Sequence, residues 1–300
     1  RNLDQLILNE TDEEDGRPVT PTNDDCCGNA CDPCVFDAHR TLLERWEKRR
    51  TEGVKGRREK NVLSAVAYKT FEVTEIEEAA ESFVKIRLES RNDRDSRIFM
   101  NPGQHVILSM NKQSKPYTPI SWTRNDIELL IRVYADGVFS RVLKGLRIGE
   151  EIRVRGPYGD FSYERNSFRR IVAFCIGSGI AAIYPIAKSI VDDEDEETRI
   201  HLVAGFSSLA HVPLKRELRR LSDYWNVTCT LHISRAACDG DFLCGAEIRR
   251  GRLTENAIVR LLESHSVEDT LILVCGTDEF NASAQGWIKN LGYKNYHSFS

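Results

Sequence analysis

Residues 115–121, which read Lys-Pro-Tyr-Thr-Pro-Ile-Ser, place an aromatic ring, hydroxyl groups and a cation within seven positions. Two prolines stiffen the backbone around these side chains. Such a segment can stack on a planar ring, hydrogen-bond its polar atoms and hold a phosphate at the same time. We expect Tyr117 to contact the ring and Lys115 to meet the phosphate. Thr118 and Ser121 are the expected hydrogen-bonding residues at the polar edge of the ring.

Residues 137–140, Gly-Val-Phe-Ser, follow about 20 residues later at the predicted start of a short helix. Free backbone N–H groups and the positive end of the helix dipole favour a phosphate at such a place. Ser140 adds a hydroxyl group, although an ordinary glycine turn with a serine cap would give the same pattern. The motif lies between an alternating strand at 129–134 and a strand at 151–159 that ends in Arg-Gly-Pro-Tyr-Gly.

Residues 177–179, Gly-Ser-Gly, follow a continuous apolar strand at 171–176 and precede a predicted helix. In a dinucleotide-binding turn, glycine lets the ligand approach the backbone closely. An isolated Gly-x-Gly is a weak signal, so this prediction depends on its position between a strand and a helix. A later apolar strand at 271–275 ends in a Cys-Gly turn.

Two patterns of secondary structure surround these motifs. Alternating apolar and polar residues predict a small antiparallel barrel with strands at 71–74, 83–88, 105–108, 129–134 and 151–154. After residue 168 the pattern changes to strands followed by helices, which predicts a doubly wound parallel sheet. Its strands are expected at 171–176, 200–206, 227–233 and 271–275. Pro213 and Thr254 are predicted helix starts, and residues 192–197 are predicted to form a solvated acidic loop.

Taken together, the motifs resemble those of the ferredoxin–NADP reductase superfamily, and within it the NADH–cytochrome b5 reductases. The resemblance covers residues 68–300. It implies two domains, an antiparallel Greek-key FAD-binding barrel followed by a doubly wound parallel-sheet NAD(P)-binding domain. It also implies transfer of a hydride from NADH to FAD, and then of single electrons to a haem protein such as cytochrome b5. The cofactor performs the redox step, so a catalytic residue here is one that positions it.

The resemblance also assigns site residues. Cys275 is expected beside the nicotinamide, although a buried structural thiol would fit the same pattern. The expected catalytic residues are Thr118, Ser178 and Cys275. The expected cofactor-binding residues are Lys115, Pro116, Tyr117, Thr118, Ser121, Ile131, Val133, Tyr134, Gly137, Val138, Phe139, Ser140, Gly177, Ser178, Gly179, Cys275, Gly276 and Phe299.

The chain departs from the family pattern at a few positions. Lys115 replaces an arginine, which keeps the charge but loses the planar fork that grips a pyrophosphate, so we expect FAD to bind more loosely. Ala182, Thr277 and Asp278 each replace a proline. These departures leave open a second hypothesis, a degenerate reductase fold that serves as a protein-interaction scaffold. A third hypothesis is the reductase component of an oxygenase.

The expected coenzyme is NADH, with NADPH the alternative. Residues 205–211, the loop after the second strand of the parallel sheet, contain no arginine cluster that could bind a 2'-phosphate. His211 lies roughly where cytochrome b5 reductases carry an acidic residue that repels NADPH. The next basic residues are predicted to form a solvated helix face, and they are Lys215, Arg216, Arg219 and Arg220.

Four cysteines lie close together near the N-terminus, at Cys26, Cys27, Cys31 and Cys34. We assign no metal, although a tetrahedral thiolate zinc site is a chemical alternative, as are a docking or redox-sensitive module and unstructured thiols. The pattern resembles an oxidoreductase-like N-terminal module. A basic helix and linker follow at 40–60, either as a solvated surface or as a docking face for acidic lipid or protein.

Composition limits the remaining choices. The 300 residues, 41% of them apolar, suit two cores and a tail, and we divide the chain at 1–60, 61–165 and 166–300. A net charge of -4 gives no general basic field, which argues against nucleic acid as a partner. No apolar run approaches the ~20 residues of a membrane-spanning helix. Nine cysteines without a disulfide framework favour a reducing compartment. We expect a monomer that is intracellular, either cytoplasmic or on the cytosolic face of a membrane.

Overall fold

The computed structural model describes residues 17–18, 20–23, 26, 34–52, 60–91, 96–111, 113–235 and 242–299. The chain divides into two compact units. The first contains the described residues up to Glu77 together with Lys85–Ser162, and the second contains Glu78–Val84 and the described residues from Tyr163 onward. No helix in these described ranges is both long enough and apolar enough to cross a membrane.

The first unit is built from two helices and short strands. Its elements are α1 (Val35–Glu52), β1 (Lys60–Asn61), β2 (Lys69–Ala80), β3 (Phe83–Ser90), β4 (Ser96–Arg97), β5 (His105–Met110), β6 (Gln113–Tyr117), β7 (Pro119–Trp122), β8 (Asp126–Arg132), α2 (Val138–Lys144) and β9 (Glu151–Tyr158). Seven strands form one sheet in the order β6-β5-β9-β2-β3-β8-β7, and β1 pairs separately with β4. The consecutive strands β6 and β7 lie at opposite ends of that order with only Thr118 between them. The sheet must therefore curl into the predicted barrel.

Apolar side chains of the strands fill this barrel, on alternate positions at the start of β2 and on consecutive positions in β3, β5 and β8. Phe71, Ile86, Leu108 and Ile131 are among its fully buried residues. The strand predicted at 129–134 ends earlier, at Arg132. It stops because the backbone turns after it, so that the Gly137 N–H donates to a carbonyl three residues before it.

Within the first unit, helix α1 packs against the segment before β2 through a small apolar cluster. Val35 and Leu42 of the helix and Val66 of the segment before β2 are all buried in it. Cys26 and Cys34 are partly buried and pack against the same cluster. The described part of the cysteine module is therefore attached to the segment that leads into the barrel.

The second unit alternates strands with helices. Its elements are β10 (Arg170–Ile176), a short 3₁₀ turn (Gly177–Gly179), α3 (Ile180–Val191), β11 (Arg199–Phe206), a second 3₁₀ turn (Leu209–His211), α4 (Lys215–Ser222), β12 (Val227–Ile233), β13 (Phe242–Leu243), β14 (Ala246–Arg250), α5 (Glu255–Leu262), β15 (Thr270–Cys275), α6 (Asp278–Asn290) and β16 (Tyr296–Phe299). The sheet order is β13-β14-β12-β11-β10-β15-β16. All its pairs are parallel except the short β13–β14 hairpin. The chain moves outward from β10 through β11 and β12 and then returns to β15 on the other side. The strand order therefore reverses between β10 and β15.

Two local predictions in this unit are wrong. Helix α4 begins at Lys215 and not at Pro213, because Leu214 adopts a left-handed conformation (φ 55°) that interrupts the helix. The acidic loop at 192–197 is not solvated throughout, because Glu196 is buried. Its carboxylate accepts hydrogen bonds from the backbone N–H groups of Asn166 and Thr198.

Candidate functional site

An aromatic cluster brings together three of the predicted motifs of the first unit. The ring of Tyr117, at the end of β6, stacks on Phe139 of α2 with centroids 6.2 Å apart and 23° between the ring planes. Burial, with a smaller contribution from nearby Tyr134, raises the pKa of Tyr117 to about 12, so its phenol is neutral at physiological pH. Tyr134 is half exposed. These rings offer a stacking surface that remains open to a ligand.

Two cations accompany these rings. Lys115 is exposed on β6, two residues before Tyr117. The guanidinium of Arg132 lies 5.0 Å from the centre of the Tyr134 ring. Sequence reasoning missed Arg132, although it lies between Ile131 and Val133, which were both chosen. The two positive charges and the rings fit a cofactor that carries both a planar ring system and a diphosphate.

The Gly-Val-Phe-Ser turn is held by its own serine. Ser140 is buried, and its hydroxyl accepts from the Tyr134 N–H at 3.2 Å and donates to the Gly137 carbonyl at 3.3 Å. A Cβ at Gly137 would lie only 2.5 Å from the Ser140 oxygen, so the turn requires glycine. Val138 is 55% exposed at the start of α2. Ser140 thus shapes the turn, and its donation to a phosphate stays a prediction.

The other predicted flavin contacts surround this cluster in different environments. Thr118 is partly exposed between β6 and β7, Pro116 is exposed and Ile131 is fully buried. The Ser121 hydroxyl donates to Glu128 at 2.9 Å. Glu128 also pairs with an arginine of β3, so Ser121 belongs to a polar network within the sheet. Its role at the flavin edge also stays a prediction.

The predicted dinucleotide turns of the second unit lie side by side. They follow β10 and β15, which pair in parallel with Cys175 opposite Cys275. A Cβ at Gly179 would lie 2.2 Å from the Cys275 carbonyl oxygen, and one at Gly276 would lie 2.5 Å from the Ile176 side chain. The turns can approach this closely only because both positions are glycine. The resulting backbone surface, at the reversal point of the sheet, fits a dinucleotide.

Cys275 lies at the centre of this surface. Burial raises the pKa of its thiol to about 12, so the thiol is neutral at physiological pH and can orient a ligand but not act as a thiolate. Ser178 is partly exposed in the neighbouring turn. Phe299 of β16 is opposite Cys275 in the sheet register and is buried, and its carbonyl accepts from Asn281 at 2.8 Å.

The departures from the family pattern are accommodated locally. The Thr277 hydroxyl caps α6 by accepting from the Phe280 N–H at 3.3 Å. Asp278 lies in the first turn of that helix, where its negative charge interacts favourably with the positive end of the helix dipole. Ala182 is buried within α3. At Thr277 and Asp278, the two prolines of the family pattern are therefore replaced by the capped start of a helix.

The cysteine module is only partly described. Cys27 and Cys31 lie outside the described residues, whereas Cys26 and Cys34 are free thiols. Within the described ranges, no group of three or more His, Cys, Asp or Glu residues is arranged to hold a metal. The zinc alternative for the four cysteines therefore stays a prediction.

Three family models match the chain. The model described as Oxidoreductase-like protein, N-terminal matches residues 15–55, Oxidoreductase FAD-binding domain matches 70–163, and Oxidoreductase NAD-binding domain matches 174–286. The chain is 29% identical over 297 residues to NADH-cytochrome b5 reductase-like of Mus musculus, covering 91% of this chain and 93% of that protein. It is 31% identical over 203 residues to NADH-cytochrome b5 reductase 1 of Kluyveromyces lactis, covering 64% of this chain and 69% of that protein.

Solved structures share the fold. The cytochrome b5 reductase domain of Ulva prolifera nitrate reductase aligns with a TM-score of 0.70 at 20% identity, over 80% of this chain and all of that one. The CS-b5R domains of human Ncb5or align with a TM-score of 0.68 at 18% identity, over 78% of this chain and 69% of that one. The predicted family and fold class are confirmed. The chain belongs to the NADH–cytochrome b5 reductase family and is an NADH-dependent flavoprotein oxidoreductase with FAD as its cofactor.

Proposed function

We propose that the chain passes electrons from NADH to a haem-protein acceptor such as cytochrome b5. The names of its relatives support this acceptor. When bound, FAD supplies the conversion of a two-electron hydride into single electrons. The observation that carries the proposal is the convergence of Tyr117, Tyr134 and Phe139 with the cation of Arg132 in one unit.

The first unit would hold FAD through this cluster. Tyr117 and Tyr134 would contact the rings and the ribityl chain, and Phe139 would support Tyr117 from behind. Lys115 and Arg132 would share the diphosphate, since each offers a positive charge near the rings. The backbone turn closed by Ser140 would hold the start of α2 in place.

The second unit would hold the nicotinamide coenzyme on the paired glycine turns. Backbone N–H groups there can bind phosphate oxygens without side-chain crowding. Ser178 and Cys275 would orient the nicotinamide. Neither residue needs to gain or lose a proton, because the transferred hydrogen moves as a hydride and no separate proton passes through a side chain.

We also propose that the protein works as a monomer in a reducing compartment, either cytoplasmic or at the cytosolic face of a membrane. The six cysteines in the described part of the chain are free thiols, which supports a reducing environment. The proposed division into an N-terminal module, a flavin domain ending near residue 165 and a nucleotide domain follows the sequence motifs.

An anaerobic titration tests this function. We expect the purified protein to show flavin absorbance bands that NADH bleaches, and added cytochrome b5 to be reduced as the bands return. A second outcome is that NADH bleaches the flavin and the protein then reduces an iron–sulfur acceptor but no haem protein. This outcome would favour the reductase component of an oxygenase over the haem-protein reductase. Protein that stays colourless after incubation with FAD would favour the scaffold hypothesis.

A further inference from the structure

Helix α4 separates its apolar and basic residues onto opposite sides. Leu218 and Leu221 are buried, whereas the four basic side chains of the helix are exposed. These basic residues are Lys215, Arg216, Arg219 and Arg220. Positions 215 and 219 lie one helical turn apart, as do positions 216 and 220, so the cations form two adjacent rows along the helix on the side away from the leucines.

Two acids accompany these cations. Glu217 is partly buried on the flank of the helix. Asp223 follows the helix and approaches Arg219 at 3.9 Å, with both side chains 70% exposed. An ion pair this exposed contributes little. Positive charge therefore predominates on the exposed side of α4.

Two exposed aromatic residues continue this surface after the helix. Tyr224 is 42% exposed and Trp225 is 72% exposed. The guanidinium of Arg199, at the start of β11, lies 6.0 Å from the centre of the Trp225 ring. The next residue, Asn226, is buried, and its amide donates to the Thr198 carbonyl at 3.1 Å. The backbone beside Trp225 is thus fixed to the sheet while the large ring projects into solvent.

The acidic loop before β11 lies next in the chain to Arg199. Three of its carboxylates are held in ion pairs by basic residues of the same unit. These pairs are Asp192 with Lys188, and Asp193 and Asp195 with Arg165. Glu194 and Glu197 are exposed. The loop therefore opposes an anionic partner chiefly through these two residues.

The combination of a basic helix side with an exposed tryptophan fits the surface of a membrane. Lysine and arginine side chains are attracted to anionic headgroups, and the cations of a helix lying in the membrane plane can all reach them. Tryptophan favours the boundary between headgroups and acyl chains, where its ring is apolar and its N–H can stay hydrated. Cations alone would serve an acidic protein, whereas the exposed rings of Tyr224 and Trp225 favour a lipid surface.

We propose that the basic side of α4, together with Tyr224 and Trp225, forms a docking surface for an anionic lipid membrane. We call it the α4 surface. It goes beyond the proposed electron transfer and includes none of the residues assigned to FAD or the nicotinamide. It would hold the protein at the headgroups of a membrane through contacts of a folded unit.

Vesicle sedimentation of the holoprotein tests the α4 surface without any turnover. The probe is a phosphatidylcholine vesicle that contains about one third phosphatidylserine, and pure phosphatidylcholine is the neutral reference. We expect the protein to sediment with the anionic vesicles and to be released at about 0.5 M salt, where charges are screened. Arg219→Gln combined with Arg220→Gln should lower the partition coefficient by about tenfold or more, because each cation near an anionic surface contributes to binding.

Helices α4 and α5 cover opposite faces of the sheet, which provides a control. The Ser222 hydroxyl of α4 is hydrogen-bonded to the Cys229 thiol, and Cys229 is in register with Leu202. Val203, the next residue of β11, packs with Ile258 of α5. Successive side chains of a strand point to opposite faces. Cations on α5 and on α6, which packs in the same cluster as α5, are therefore remote from the α4 surface.

Two further double variants use this arrangement. Arg260→Gln combined with Lys289→Gln removes two exposed cations from α5 and α6, and it should change the partition coefficient by less than about twofold. Arg219→Lys combined with Arg220→Lys keeps both charges without the planar fork. It should retain most of the binding, because attraction to a lipid surface depends on charge.

Trp225 supplies a spectroscopic readout. Trp46 is buried, and Trp122 and Trp287 are partly buried, so Trp225 is the most exposed of the four tryptophans. On addition of anionic vesicles, its emission should shift to shorter wavelength and be quenched by brominated phospholipid, because the ring enters the headgroup region. Trp225→Phe should abolish both changes, whereas Trp287→Phe should preserve them.

Three outcomes would overturn the proposal. The first is that the unmodified protein does not bind the anionic vesicles. The second is equal partitioning of the Arg219→Gln, Arg220→Gln protein and the α5–α6 control, which would assign the contact to another basic segment such as residues 40–60. The third is binding of poly-L-glutamate through the same arginines without binding of vesicles, which would indicate an acidic protein partner.

The proposed function is tested separately from the α4 surface. In every variant, NADH should bleach the flavin as it does in the unmodified protein. A protein that binds vesicles but shows no bleaching would contradict the proposed electron transfer and support the α4 surface.

Discussion

At the residue scale, the departures of this chain from its family pattern have neighbours that accommodate them. Lys115 lacks the arginine fork, but Arg132 brings a second cation to the same aromatic cluster. Thr277 lacks the ring of proline, but its hydroxyl caps α6. Such neighbours show how a sequence about 30% identical to its relatives can accommodate these departures.

The two cations lead to a prediction about FAD affinity. Lys115→Arg should tighten FAD by up to about tenfold, because a planar fork makes paired bonds to a diphosphate, whereas Arg132→Gln should weaken it by about tenfold or more. Flavin fluorescence during titration of the apoprotein measures both. Arg147→Gln, at an exposed arginine of the same unit, should have little effect. Unchanged affinity in Lys115→Arg would show that this position does not contact the diphosphate.

The neutral thiol of Cys275 leads to a prediction about pH. Because burial raises its pKa to about 12, the thiol stays protonated at every pH from 6 to 9. The rate of anaerobic flavin reduction by NADH should therefore show no transition from this group in that range. Cys275→Ser should slow the rate by about tenfold through poorer positioning, at all these pH values alike. A transition near pH 8 that disappears in Cys275→Ser would instead indicate a working thiolate.

At the element scale, helix α1 is part of the first unit, which contains the barrel. The segment on which α1 packs is bonded to the Arg-Gly-Pro-Tyr-Gly turn at the end of β9. The Gly156 N–H donates to the Ser64 carbonyl at 2.7 Å, and the Tyr158 hydroxyl donates to the Ala65 carbonyl at 2.5 Å. Loss of a packed side chain from α1 should therefore lower the stability of the barrel.

Leu42 and its neighbour Leu43 test this connection. Leu42 is buried in the cluster with Val35 and Val66, so Leu42→Ala should lower the free energy of unfolding of this unit by about 2 to 5 kcal/mol. Leu43 is partly exposed, and Leu43→Ala should cost about 1 kcal/mol or less. Urea unfolding of the holoprotein, followed by FAD release, measures both. Equal effects would mean that the helix is not held by this cluster.

At the scale of the whole molecule, two strand arrangements create the two surfaces. In the first unit, β6 and β7 are consecutive yet lie at opposite ends of the sheet order, which closes the barrel at Thr118. In the second unit, the order reverses between β10 and β15, which brings two glycine turns together. Each unit thus supplies one of the two nucleotide surfaces that the family requires.

The sequence by itself determined the fold class and the order of the two surfaces. Alternation of apolar and polar residues with period two predicts the barrel strands, and continuous apolar strands predict the parallel sheet. It also located the glycine turns, since only glycine allows the backbone to approach so closely. These features depend on residues near one another along the chain.

Only the tertiary structure decided which distant residues meet. Arg235 meets the loop after β11 because β12 pairs with β11 in the sheet. Glu196 became buried because backbone N–H groups converge on its carboxylate. No local pattern distinguishes these charged residues from solvated ones, because their surroundings are assembled from segments up to about 30 residues apart. Sequence patterns thus determined the elements, and tertiary contacts determined which polar side chains from separate segments come together.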